Sequence, residues 1–178
     1  METVEVEAKG EKKSVLETMN LEERVAATDK MIKNYAMGAM GVGLMPLPAV
    51  DLVALSALQL KLLYDLSKFF NVEFSKEKGK NLIGALLGSC IPVAVAGPLA
   101  SLMKVIPIIG VTTGALTGVA VFGASTYALG KVFVQHFESG GTFLDFDPAK
   151  VKDFFAEQYK EGRKVAADLK KAAPQKSS

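Results

Sequence analysis

The sequence predicts an all-α protein, a helical bundle of amphipathic helices around a glycine-rich apolar helical hairpin that inserts into a membrane. Three observations predict this class. Residues 82–130 contain one charged side chain, Lys104. Glycines recur in that stretch at four-residue intervals, and the flanking segments repeat apolar residues with the period of a helix. We expect a mobile charged arm at residues 1–19, a single helical domain at 20–171 and a disordered tail at 172–178.

The first predicted helix begins at Asn20, because Asn20 and Glu23 have the spacing of a capping box. Its apolar residues recur at helical spacing, so the helix is amphipathic. Residues 36–50 form an uncharged run interrupted by glycines and prolines. They are interpreted as the end of this helix followed by a bend, or as a shallow re-entrant element.

The next predicted helix covers residues 51–70 and is apolar on most of its surface. Asp51 follows Pro48 closely, which places it in the first turn, where the helix dipole favours a carboxylate. Asp51 and Gln59 are eight residues apart and share one face of this helix. The pair either binds a ligand or forms hydrogen bonds to a neighbouring helix and fixes its register.

The apolar hairpin comprises residues 82–103 and 105–130, with a turn at Lys104. Each half, as a helix rising ~1.5 Å per residue, is long enough to cross a hydrocarbon core of ~30 Å. Ser75 is predicted to cap the helix that leads into it. The lysines before the hairpin and Lys131 after it place both its ends, and the termini, on the cytoplasmic side of the inner membrane. The hairpin either spans the bilayer or is re-entrant.

Small residues predict close helix packing within the hairpin or between copies of the chain. Glycines four apart lie on one face of a helix, where a second backbone can approach. We therefore expect a homo-oligomer. The predicted helix-packing residues are Gly84, Gly88, Gly110, Gly114 and Gly118.

The alternative is that this stretch forms the buried centre of a soluble bundle, since a helix that is apolar all round occurs in both settings. A charged fraction of 22% is ordinary for a soluble protein. A chain of 178 residues, however, is small for surrounding two such helices, which favours the membrane.

The final predicted helix begins at Asp147 and Pro148, which have the order of an N-cap and first helical residue, and extends to about Lys171. It is amphipathic. We expect its apolar stripe to pack on the first helix or on the helix at 51–70; alternatively it binds a membrane surface or a partner protein.

The composition argues against an enzyme. The chain has one His and one Cys, so neither a disulfide nor a metal site is predicted, and no cofactor. The formal net charge of +2 does not indicate binding to nucleic acid. The N-terminal residues lack the apolar segment of a signal peptide, so we expect the protein not to be exported.

Residues 43–52, with Ala54, Leu55 and residues 59–61, resemble the start of a bacterial family of GTPase-associated membrane domains of unknown function, which includes YcjF-like proteins. The resemblance covers about residues 29–164. It implies an all-α, membrane-associated domain that is fused to, or encoded beside, a Ras-like or dynamin-like GTPase, and it implies no reaction. Because this chain lacks the GTPase half, the GTPase would be a separate partner. The positions that carry the family pattern are Pro46, Pro48, Asp51 and Gln59.

Three functions compete at this point. The first is a non-enzymatic membrane module that oligomerises and works with a partner GTPase or shapes the bilayer. The second is a small oligomeric channel or transporter with Asp51 and Gln59 near the pathway. The third is a soluble helical bundle that binds an apolar ligand.

Overall fold

Five α-helices make up the part of the chain that the structure, a computed structural model, describes: residues 19–44, 48–90 and 110–172. Side chains at 48–52, 89–90 and 110–117 are outside this description. The helices are α1 (Leu21–Val42), α2 (Pro48–Phe69), α3 (Lys76–Cys90), α4 (Gly110–Glu138) and α5 (Lys152–Ala172). No strand occurs among the described residues, so the predicted all-α class is confirmed.

Local sequence rules explain where most helices begin. The Asn20 side chain accepts a hydrogen bond from the Glu23 amide at 2.9 Å, and the Glu23 carboxylate accepts one from the Asn20 amide at 3.0 Å. The predicted capping box is therefore confirmed. The Ser75 hydroxyl accepts a bond of 3.4 Å from the Lys78 amide, in agreement with its predicted role before α3. Helix α2 begins with Pro48, whose fixed φ suits the first helical turn.

The predicted start of the last helix is wrong. The Asp147 carboxylate accepts a hydrogen bond of 3.0 Å from the Ala149 amide and closes a turn. A second turn bond joins the Lys150 amide to the Asp147 carbonyl oxygen. Because these bonds hold the backbone in a turn, α5 begins at Lys152.

Helix α4 lies at the centre of the bundle and contacts each of the other four helices. Helices α1, α2, α3 and α5 follow one another around it, each in contact with the next. Residues 123–130 of α4 are buried on every side, which explains their lack of charge. The second half of the predicted hairpin is thus enclosed by protein at residues 123–130.

The helices run up and down, so the bundle has two distinct ends. Gly130 of α4 lies against Ile32 of α1, while Gly118 lies against Gly43, which makes this pair antiparallel. The apolar end is defined here as the end where α1 and α3 finish and α2 and α4 begin. The aromatic end is the opposite one, where Phe133 stacks on Phe146 with ring centroids 4.4 Å apart.

The structure does not support the predicted insertion of the apolar hairpin into a membrane. Among the described residues, no helix combines the length and the apolar character that crossing a bilayer requires. The predicted first half enters α3, which ends at Cys90, and the second half is part of α4, which continues to Glu138. Residues 91–109, including Lys104 and the predicted turn, are outside the described ranges. Among the described residues, α3 packs on α2 and α5 more than on α4.

The last helix also packs differently from the prediction. Its largest contact is with α4, and its contact with α1 is small. At this crossing Gly162 of α5 meets the backbone of Ala124 and the side chain of Tyr127. The apolar stripe of α5 therefore covers the central helix instead of packing mainly on α1 or α2.

Candidate functional site

Gln59 joins α2 to the central helix in the interior of the bundle. Its side chain is fully buried, and Nε2 donates to the Thr126 hydroxyl at 3.2 Å and to the Ser125 hydroxyl at 3.5 Å. Ser125 donates in turn to the Phe122 carbonyl oxygen at 3.1 Å. Of the two roles considered for Gln59, the structure thus shows hydrogen bonds to a neighbouring helix.

The carbonyl oxygen of the Gln59 side chain differs from the other polar atoms of this cluster. Gln59 Oε1 is buried and has no hydrogen-bond partner among the described residues. A buried acceptor without a partner lowers stability, because it has lost its bonds to water. The Gln59 amide therefore specifies how α2 and α4 meet at some cost to stability.

The other family-pattern positions lie where α1 passes into α2. Pro48 is the first residue of α2 and Asp51 the fourth, whereas Pro46 is outside the described residues. Asp51 and Gln59 share α2, two turns apart, but the Asp51 side chain is not described. A joint role for these residues in binding stays a prediction.

The predicted packing glycines differ in their surroundings. A Cβ added to Gly43 would lie 2.8 Å from the Val119 nitrogen and 2.9 Å from the Gly118 carbonyl carbon, so α1 and α4 approach closely beside Gly118. Gly84 and Gly88 are exposed, and an added Cβ would meet nothing within 4 Å. Their role in helix packing stays a prediction that requires a partner outside the described chain. The surroundings of Gly110 and Gly114 are outside the description.

A polar cluster connects the outer parts of α1 and α2. The Tyr35 hydroxyl donates to the Asp65 carboxylate, and Lys61 Nζ donates to both groups at 2.8 Å. Burial and the bond to Asp65 raise the pKa of Tyr35. Burial also acts to raise the pKa of Asp65, but bonds from Lys61 and Tyr35 outweigh it and lower the value. The pKa of Lys61 is raised by its bonds to Asp65 and Tyr35, so the amine stays charged at neutral pH and is a poor nucleophile.

A second ionic cluster connects α1 to α4. The Asp29 carboxylate forms 2.7 Å ion pairs with Lys33 and with Lys131. Burial acts to raise the pKa of Asp29, but the hydrogen bonds from the two lysines outweigh it, so the pKa lies below its ordinary value. The lysine that was predicted to close the hairpin therefore holds two helices together inside the chain.

The His136 side chain packs against neighbouring residues at the aromatic end. Its Nε2 lies 2.9 Å from the Thr142 carbonyl oxygen, and its ring packs edge-on against Phe146. Gly141 lies directly against the same ring, leaving no space for a Cβ. Within the described ranges, no group of three or more His, Cys, Asp or Glu side chains is arranged to hold a metal ion.

Near the apolar end, the outward-facing side chains that the structure describes on α1, α2 and α3 carry no charge. Met37, Leu44 and Val53 are 50%, 64% and 72% exposed. Exposed glycines and alanines lie on the same three helices, whereas the outer face of α5 is charged along its length. We call this surface the apolar patch; it comprises Met37, Gly38, Gly41, Leu44, Val53, Ala57, Gly84, Ala85 and Gly88.

Sequence reasoning missed the patch and both ionic clusters. The four-residue spacings of Asp29 with Lys33 and of Lys61 with Asp65 are visible in the sequence and are typical of helix-surface pairs. The links to Lys131 and Tyr35 cross between helices, so they require the packing to be known.

These features define an all-α bundle with one enclosed apolar helix and an exposed apolar patch. Residues 8–164 match the family described as a domain of unknown function (DUF697), and the chain belongs to this family. It is similar to magnetosome membrane protein 22 of Magnetospirillum gryphiswaldense, with 31% identity over 148 residues, 83% of this chain and 76% of that protein. No solved structure matches the chain. The predicted resemblance to a bacterial domain family of unknown function is confirmed, while its link to a GTPase stays a prediction.

Proposed function

We propose that this protein is a non-enzymatic, membrane-associated helical module that contacts the bilayer through the apolar patch. The observation that carries the proposal is the exposure of Met37, Leu44 and Val53 on a surface whose described side chains carry no charge. Exposed apolar surface of this kind marks a site for a protein or a membrane. The name of the magnetosome relative favours the membrane.

The distribution of charge favours contact on one side of the bundle. The patch lies on α1, α2 and α3, while α5, which makes little or no contact with α2, has a charged outer face. Interfacial elements bury an apolar face by ~5–10 Å and keep a polar face in water. The bundle would therefore rest on the surface of the inner membrane with α5 away from the lipid.

The oligomer and the partner GTPase remain part of the proposal. Gly84 and Gly88 are exposed and open and lie on α3, at one side of the patch, so a helix of a second copy could approach α3 closely beside the lipid contact. The GTPase rests on the family resemblance alone. Analytical ultracentrifugation with vesicles would test the oligomer. A pull-down from the native host would test the partner GTPase separately.

Vesicle flotation tests the membrane contact. We expect the full chain to float with vesicles and the Met37→Lys and Val53→Lys variants to remain at the bottom of the gradient. Leu144→Lys is the matched control, because Leu144 is 78% exposed but lies in the loop at the aromatic end. Circular dichroism would verify that all variants are folded. Equal flotation of the three variants, or none by the unaltered chain, would contradict the proposal.

A further inference from the structure

Towards the aromatic end, the first charged residue beyond the apolar patch is a lysine on each of its three helices. Lys33 is the last charged residue of α1, and Lys80 is the last of α3. On α2, Lys61 is the first charged residue after the patch residues Val53 and Ala57. The uncharged surface therefore begins next to a lysine on every helix that forms it.

Contacts between the helices place these lysines at similar heights along the bundle. Lys61 bonds to the hydroxyl of Tyr35, two residues after Lys33. Gly79, which precedes Lys80, packs against Leu60, which precedes Lys61. With a rise of ~1.5 Å per residue, the three positions lie within about one helical turn of each other. They form a row along one border of the patch.

The acidic partners lie on the far side of this row. Asp29 pairs with Lys33 from one turn nearer the aromatic end, and Asp65 pairs with Lys61 from the same direction. No acidic residue stands between any of the three lysines and the patch. Asp51 is in the first turn of α2, two residues before Val53, and its side chain is outside the description. The lysines are thus closer to the patch than their acidic partners are. Their side chains are exposed, 45% for Lys33 and 64% for Lys61.

We infer that Lys33, Lys61 and Lys80 bind the phosphates of anionic phospholipids in the leaflet that the apolar patch contacts. Lysine can lay its methylene chain along an apolar surface and keep its ammonium at the level of the headgroups. The row borders the patch, so its ammonium groups can reach headgroup phosphates beside the acyl chains that the patch meets. This inference rests on the proposed function and adds a preference for one lipid class.

Binding to two kinds of vesicle tests the inference. One kind contains phosphatidylcholine alone, and the other also contains phosphatidylglycerol. A basic residue close to an anionic surface strengthens binding about fivefold, so Lys33→Gln, Lys61→Gln and Lys80→Gln together should weaken binding to the anionic vesicles about a hundredfold. Binding to the neutral vesicles should stay unchanged. Added salt should reduce the anionic preference of the unaltered chain.

The matched control makes the same change of charge on the opposite side of the bundle. Lys160→Gln, Lys164→Gln and Lys170→Gln alter exposed residues of α5 and should leave the preference largely intact. Replacing the row by arginines keeps the charges and should preserve binding, which guards against loss by misfolding. An equal loss in the α5 variant, or equal binding of the unaltered chain to both vesicles, would overturn the inference. In the latter case the apolar patch would still bind lipid, whereas no binding to either vesicle would refute the patch proposal as well.

Discussion

Gly162 of α5 lies directly against Ala124 of α4: a Cβ on Gly162 would be 2.9 Å from the Ala124 carbonyl oxygen and 3.0 Å from its Cα. Both contacts are with backbone, which cannot move aside as a flexible side chain can. The close crossing of the last helix over the central helix thus depends on the absence of one methyl group.

Gly162→Ala should therefore lower the free energy of unfolding by about 1–3 kcal/mol, because the added methyl forces the two helices apart. Gly84→Ala is the matched control. Its Cβ would enter open space, so the better helix propensity of alanine should raise the unfolding free energy by about 1 kcal/mol. Urea unfolding would measure both. A Gly162→Ala variant as stable as the unaltered chain would contradict the close crossing.

Gln59→Met should change the unfolding free energy by no more than about 1 kcal/mol, since it removes two long hydrogen bonds together with the unpartnered acceptor. Gln59→Glu retains the shape but buries a carboxylate. Its unfolding free energy should fall by about 3 kcal/mol or more at neutral pH and recover partly as the acid is protonated. Urea unfolding at several pH values distinguishes these results. A large loss in Gln59→Met would show that the amide bonds stabilise the bundle.

The Asp29 cluster should make stability depend on acid pH. The folded pKa of Asp29 lies below its unfolded value, so its contribution is present above about pH 4 and is lost as the pH falls through the folded pKa. Asp29→Asn should be less stable than the unaltered chain at pH 7, and the difference should shrink below pH 4. Asp168→Asn changes an exposed carboxylate on α5 as a control. A difference that stayed constant with pH would exclude this linkage.

Phe133 should be the most sensitive aromatic position. It is fully buried, stacks on Phe146 and lies 5.6 Å from both Phe137 and Phe143, measured between ring centroids. Phe133→Ala should lower the unfolding free energy by about 3–5 kcal/mol through the cavity that it leaves. Phe154→Ala, at a half-buried position, should cost clearly less. Similar losses at the two positions would indicate that the aromatic end is loosely packed.

Short-range signals predicted much of the fold. The capping box at Asn20 and the cap at Ser75 depend on residues three apart, so they can be read without knowing the tertiary structure. Asp147 misled the prediction because an aspartate can close a turn as readily as it caps a helix. The sequence around Asp147 fits both structures.

The environment of the apolar helix α4 could not be predicted from short-range sequence signals. Helix α4 is apolar all round, and such a helix suits a membrane or a protein core equally. Residues 123–130 of α4 are buried because α1, α2, α3 and α5 pack around the helix, and this arrangement is not encoded in the periodicity of any one helix. The role of Gly162 could not be predicted for a related reason. Whether a glycine in an amphipathic helix allows close packing depends on the helix that faces it.

The central position of α4 has a consequence for the order of events during synthesis. Helices α1, α2 and α3 leave the ribosome first, and their inner faces stay uncovered until the helix that they enclose has been made. At ~5–20 residues per second, several seconds separate the completion of α3 from that of α4 and α5. During that interval the nascent chain presents Ile32, Leu62 and Leu86, all fully buried in the finished bundle, to whatever chaperone or lipid surface is near.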